Sequence, residues 1–270
     1  MLSLESRESK KHIRLWMRVR PPGAWSIPEM ANRFEQETIA TRTAEARTGA
    51  VPLDAGLRSY MLSVYNYMAS GVLLTGIVAL LFARSGYAQH VMLTPLRYVI
   101  IFAPLAFVMV LSFGISRLRT STARALFWAF AIAMGLSLST IFLVYTGTSI
   151  AQTFFATAAA FAGLSLFGYT TQRNLSAVGT FLIMGGVGLL VAMLINLFVQ
   201  STAFQLAISV IGVLLFAALT AYDTQKIKNV YFQVQGSEFI GKSVVMGALT
   251  LYLDFINMFT FLLQLMGNRR

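Results

Sequence analysis

The sequence predicts an all-α membrane protein, a bundle of seven transmembrane helices, and three observations carry that reading. The composition is 57% hydrophobic and 11% charged over 270 residues, where soluble domains run near 45–50% apolar and about 25% charged. Seven apolar runs reach the ~20 residues, about 17 to 25, that cross roughly 30 Å of hydrocarbon. The separators between them are mostly short and polar, so successive helices run antiparallel and pack as one domain.

The first run, Ser59 to Phe82, ends at "RSGYAQHVMLTP". The second, Leu96 to Ser116, gives way to "RLRTST", and the third, Ala123 to Tyr145, to "TGTS". The fourth, Ile150 to Tyr169, is followed by "TTQRNLS" and the fifth, Ala177 to Val199, by "QS". The sixth, Thr202 to Tyr222, precedes the one long separator, "DTQKIKNVYFQVQGSEFIGK", and Ser243 to Met266 is the seventh. Gly135, Gly163, Gly179, Gly185, Gly186, Gly188 and Gly247 predict close helix contacts, densest in "FLIMGGVGLL".

Basic residues set the expected topology, since Lys and Arg near spans favour the cytoplasmic side. They gather before the first run, in the second-to-third loop (Arg117, Arg119, Arg124), at Arg173, and after the sixth run (Lys226, Lys228, Lys242); "TGTS" and "QS" carry none. The N-terminus is therefore expected in the cytoplasm. Arg84, Arg97, Arg269 and Arg270 run against the pattern and leave open whether the last segment crosses or re-enters. Residues 1–58 hold ten of the 21 Lys/Arg and seven of the ten Asp/Glu, with "RPPGAW" and Pro52 as breaks. They read as a polar, largely disordered cytoplasmic tail; "HIRLWMRVR" within it suits a short interfacial helix or a solvated segment.

Chemistry is bounded by what the chain lacks. It has no cysteine, and its two histidines, His12 and His90, lie outside the apolar runs. Disulfides, thiolate sites and His-based triads are excluded or strongly disfavoured. After Ser59 only three acids remain: Asp223, Glu238 and Asp254. Asp254 sits inside "LYLDFINMF", where a charge costs on the order of 2.5–3.5 kcal/mol on insertion scales. Thr250, Asp254, Asn257, Phe261 and Gln264 share one helix face. That stripe is expected to turn inward, where Asp254 meets a partner or water. Asp223, in "ALTAYDTQKIK", shares a face with Thr220 and Lys226. By itself it reads equally as a helix-end carboxylate paired with Lys226, a contact contributing a few tenths of a kcal/mol.

"YDTQKIK" after the penultimate run, with "LYLDFINMF" in the last, resembles the paired signature of the Bax inhibitor-1 family, particularly its bacterial YccA-type branch. "YMLSVYNYMASGVLLTGIVALL" is similar to the first span of that branch, so the resemblance covers Leu57 to Arg270. It implies a seven-helix bundle with the last helix central, acting in a bacterial inner membrane as a pH-sensitive calcium leak. Asp223 and Asp254 match the aspartate pair of the last two helices. An arginine after the second span that latches to one of them fits Arg117 best, with Arg119 the alternative. The separation of Asp223 from Asp254 is longer than in compact members, and the tail is long.

Two carboxylates a few ångströms apart in a partly dehydrated site cannot both ionise cheaply and therefore share a proton. Protonated, such a pair bridges two helices; deprotonated, it repels and offers oxygen ligands to a hard cation. Arg117 would then be a counter-charge, and Thr220, Thr250, Asn257 and Lys226 supporting polar groups. Two carboxylates fall short of the usual six to eight oxygens, so only transient calcium binding with retained water is expected at Asp223 and Asp254. An intramembrane aspartyl protease would need a Gly-Asp dipeptide, which this chain does not contain. The alternative carried by the resemblance is a regulator that binds a membrane protease such as FtsH, with the tail as its handle. The expected partners are thus the lipid bilayer, protons and calcium; no enzymatic activity, resident cofactor or nucleic acid is expected.

Overall fold

The computed structural model describes the backbone of residues 27–270, and side chains from Ala55 onward except that of Met92. Among the described residues the helices are α1 (Ile27–Arg84), α2 (Tyr87–Met92), α3 (Leu96–Gly114), α4 (Thr120–Val144), α5 (Gly147–Thr170), α6 (Ser176–Val199), α7 (Thr202–Val234) and α8 (Ile240–Met266). Seven are long and apolar enough to cross a membrane, the first of these spans being Ala55–Arg84 of α1. The chain divides into a unit Met1–Gly56 and a unit Leu57–Arg270, and the spans belong to the second apart from the first two residues of the Ala55–Arg84 span. The segment "HIRLWMRVR" lies outside the described residues.

The last helix is the axis of the bundle. In α8, 67% of the apolar stretch is buried, against 11–28% in the other six spans. This explains why it is apolar nearly all round yet carries a polar stripe: every face meets protein. Tyr252, fully buried, anchors it to two other spans. Its hydroxyl donates to Thr75 Oγ1 of α1 at 2.7 Å, and Thr75 in turn donates to the Ala131 carbonyl of α4 at 2.8 Å. Phe127 and Phe130 set their edges against the Tyr252 ring at 6.3 and 5.0 Å.

The final segment spans the full height of the bundle and is long and apolar enough to cross a membrane. At one end Lys242 Nζ donates to the Ser116 carbonyl in the α3–α4 turn. At the other, the Arg270 amide donates to Val144 and the Asn268 amide to Ser149 Oγ, at the α4–α5 junction. α8 therefore runs the whole length of α4, and Arg269 and Arg270 finish beside Tyr145 instead of turning back.

Two expectations are corrected. The sixth span does not stop at Tyr222: α7 continues as helix to Val234, so Asp223, Lys226 and Lys228 lie within it and the loop shrinks to residues 235–239. "DTQKIKNVYFQV" contains no Pro or Gly, and its buried face (Asp223, Thr224, Ile227, Tyr231) has helical spacing, so nothing in it ends the helix. The glycine cluster of α6 is not a packing seam. A β-carbon at Gly186 or Gly188 would meet nothing within 4 Å, and one at Gly185 only the tip of Leu215. Gly163 is equally open, whereas Gly135 and Gly179 do receive neighbouring helices. The closest approach is elsewhere: at Gly168 a β-carbon would collide with the Ala221 carbonyl, so α5 and α7 touch backbone to backbone.

Candidate functional site

The geometry that brings the two aspartates together follows from the hairpin of α7 and α8. Roughly 17 Å of helix rise separates Asp223 from Val234, and roughly 21 Å separates Ile240 from Asp254. The turn, with Gly236 at φ 75°, lies nearly midway between them, so the antiparallel return sets Asp254 level with Asp223. The long sequence separation is thus taken up by helix, not by loop.

Asp223 is 7% exposed and Asp254 4% exposed, and the two side chains lie within hydrogen-bonding reach of each other. A hydrogen bond between two carboxyl groups requires that one of them hold a proton. Asp254 Oδ2 is buried without a partner among the described residues. Lys226, exposed one turn after Asp223, acts on it through its charge and rests 5.9 Å from the Tyr222 ring. No third His, Cys or acidic residue joins the pair among the described residues.

The remaining expected residues sit as follows. Thr220 donates to Phe216, Thr250 to Met246 and Asn257 to Leu253, each bond closing on a carbonyl of its own helix. Tyr252 is committed to Thr75. Neither the Asn nor the Tyr of "LYLDFIN" therefore satisfies Asp254, and Asp223 is left as its partner. Arg117 is exposed in the α3–α4 turn, next to the Ser116 carbonyl that Lys242 holds, and Arg119 is exposed at the start of α4. Neither is in contact with the aspartates among the described residues. Phe261, on the same stripe as Asp254, fills the space above Gly212, its ring 2.6 Å from where a β-carbon would stand, and stacks on Phe216. Beyond it Gln264 accepts from Gln205 and Ser209, while Asn196 donates to Gln205, so α6, α7 and α8 are joined by carboxamides at that end.

Sequence reading passed over the residues that hold Asp223 in place. Gln225 is 7% exposed; its Oε1 accepts the Leu175 amide at 2.9 Å, and its Nε2 donates to the Arg173 carbonyl at 2.8 Å. Lys228 donates to the Tyr169 carbonyl at the end of α5, and Thr224 donates to Ser165 Oγ. "DTQKIK" is thus a clamp as well as an acid: one side of α7 faces Asp254 while the next side fastens the α5–α6 turn. The available signal was that Thr224, Gln225 and Lys228 belong to a helix, which became legible only once α7 was seen to continue.

An all-α bundle of seven helices long and apolar enough to cross a membrane, wound about a buried last helix and holding one buried acidic pair, defines a multi-pass membrane protein with a polar core site. The family model described as "Inhibitor of apoptosis-promoting Bax1" matches residues 57–270, and the chain belongs to the Bax inhibitor-1 family. The inner membrane protein YbhL of Escherichia coli (strain K12) is 46% identical over 220 residues, covering 80% of this chain and 94% of that one. Protein RP147 of Rickettsia prowazekii (strain Madrid E) is 44% identical over 232 residues, covering 85% and 98%. A Caulobacter vibrioides protein is 42% identical over 241 residues, covering 85% and 96%.

Proposed function

We propose that the protein is a pH-sensitive calcium leak of a bacterial inner membrane, gated by a proton shared between Asp223 and Asp254. The observation that carries this reading is the pair itself: two buried carboxyls from adjacent helices, within reach of one another. Ionisable groups within membrane spans are costly, and where they occur they mark ion pathways and proton relays. With its proton the pair ties α7 to α8; without it, two negative charges repel across the hairpin and present oxygens to a hard cation. With only two carboxylates, calcium as the transported ion keeps most of its water and passes on. The inner membrane is suggested by YbhL's name. In this reading Lys226, not Arg117, is the cation whose charge acts on Asp223 in the conformation described.

The test is calcium influx into proteoliposomes at a series of pH values. Wild type is expected to leak with a clear pH dependence, and Asp254→Asn, which can no longer ionise, to leak at a rate nearly independent of pH. Absence of influx at every pH, or an Asp254→Asn profile identical to wild type, would overturn the proposal.

A further inference from the structure

A second feature stands apart from the aspartates and does not depend on the leak. Between α1 and α5 lies an apolar crevice of about 620 Å³, backed by Phe255 of α8. Among the described residues lining it, Arg58 is the one cation, exposed at the end where Tyr169 closes α5. From there it follows α1 through Tyr65 and Met68 to Val72, a helix rise of roughly 21 Å. Beyond Val72, Phe154 and Phe255 it is continued by a smaller cavity of about 290 Å³, where α4 joins α1, α5 and α8 in the wall. Leu62 and Leu166 stand 51% and 63% exposed along its walls.

The dimensions and polarity select an occupant. A crevice opening among membrane spans meets lipid, and one leaflet of the ~30 Å hydrocarbon is about 15 Å deep. Headgroup level at Arg58 and a chain end near Val72 correspond to that depth plus the interface. Charge points to the headgroup: Arg58 is exposed at the mouth, while the neighbouring Lys228 ammonium is held by the Tyr169 carbonyl. Arg58 favours an anionic headgroup there. We propose that the α1–α5 crevice binds one acyl chain of an anionic phospholipid, whose phosphate is held by Arg58.

The test is native mass spectrometry of detergent-purified, delipidated protein given phosphatidylglycerol or phosphatidylcholine with identical acyl chains. Wild type is expected to retain one lipid, with about a five-fold preference for phosphatidylglycerol, the ratio that one basic residue confers beside an anionic headgroup. Arg58→Gln should retain both lipids equally. Ala158→Phe, or Ala162→Phe as a second filling variant on the same wall, should retain neither while unfolding at the wild-type temperature. Equal retention by wild type and a folded filling variant, or release of all lipid by wild type, overturns the proposal; an Arg58→Gln protein that keeps the full preference overturns the assignment of the headgroup.

Discussion

Among single residues, Gln225 shows how much of this site depends on a side chain that carries no charge. It satisfies one donor and one acceptor of the α5–α6 turn from a buried position, so removing it strands two backbone groups. An unsatisfied buried polar group costs about 1–3 kcal/mol. Gln225→Ala should therefore lower the midpoint of denaturation clearly, and Gln225→Glu, which keeps the acceptor for Leu175, should lose less; equal midpoints for wild type and Gln225→Ala would show that the clamp is dispensable. The two aspartates were legible in the sequence because acids are so scarce after Ser59 that each demands a reason. Gln225 was not, because a glutamine among polar neighbours gives no hint of burial until the backbone around it is known to be helical.

The behaviour of whole helices is decided by where backbones touch. Gly168→Ala would place a methyl against the Ala221 carbonyl and force α5 away from α7, an overpacking cost of about 1–3 kcal/mol. Gly186→Ala meets nothing and should be slightly stabilising, by roughly 0.5–1 kcal/mol, because alanine is the better helix former. Thermal unfolding in detergent separates the two, and the opposite order would mean that the seam lies in α6 after all. The number of spans was legible because each apolar run is long and each separator polar, a contrast that tertiary packing does not alter. The end of α7 was not, since Lys226, Lys228 and Asn229 look like a loop in a hydropathy profile. In the fold they extend the helix towards the polar end of the bundle, where a charged helical turn is well tolerated. "FLIMGGVGLL" misled for a related reason: glycine density reports that a close contact is permitted, not that a neighbour stands there.

At the scale of the molecule, the hairpin of α7 and α8 sets the register on which the function depends. Its turn lies midway between the aspartates, α8 is held at one end by Lys242 on Ser116 and at the other by the Arg270 amide on Val144, and Tyr252 pins its middle to α1 and α4. A helix fixed at three levels cannot slide easily, so a change at the aspartate pair is expected to act by separating α7 from α8, on the side where Phe261 fills the Gly212 notch. The central place of α8 was implied by the family resemblance, and only its burial on all sides gives that placement a physical basis.

The central claim is that Asp223 and Asp254 act as one titrating unit. The most direct measurement is the pH profile of calcium influx into proteoliposomes for Asp223→Asn, Asp254→Asn and the double variant beside wild type. Residues that act as a unit are strongly non-additive. The account predicts that either single substitution flattens the profile and that the double variant adds nothing further. A double variant whose loss equals the two single losses combined would mean that the carboxyls titrate independently, and would contradict the shared proton.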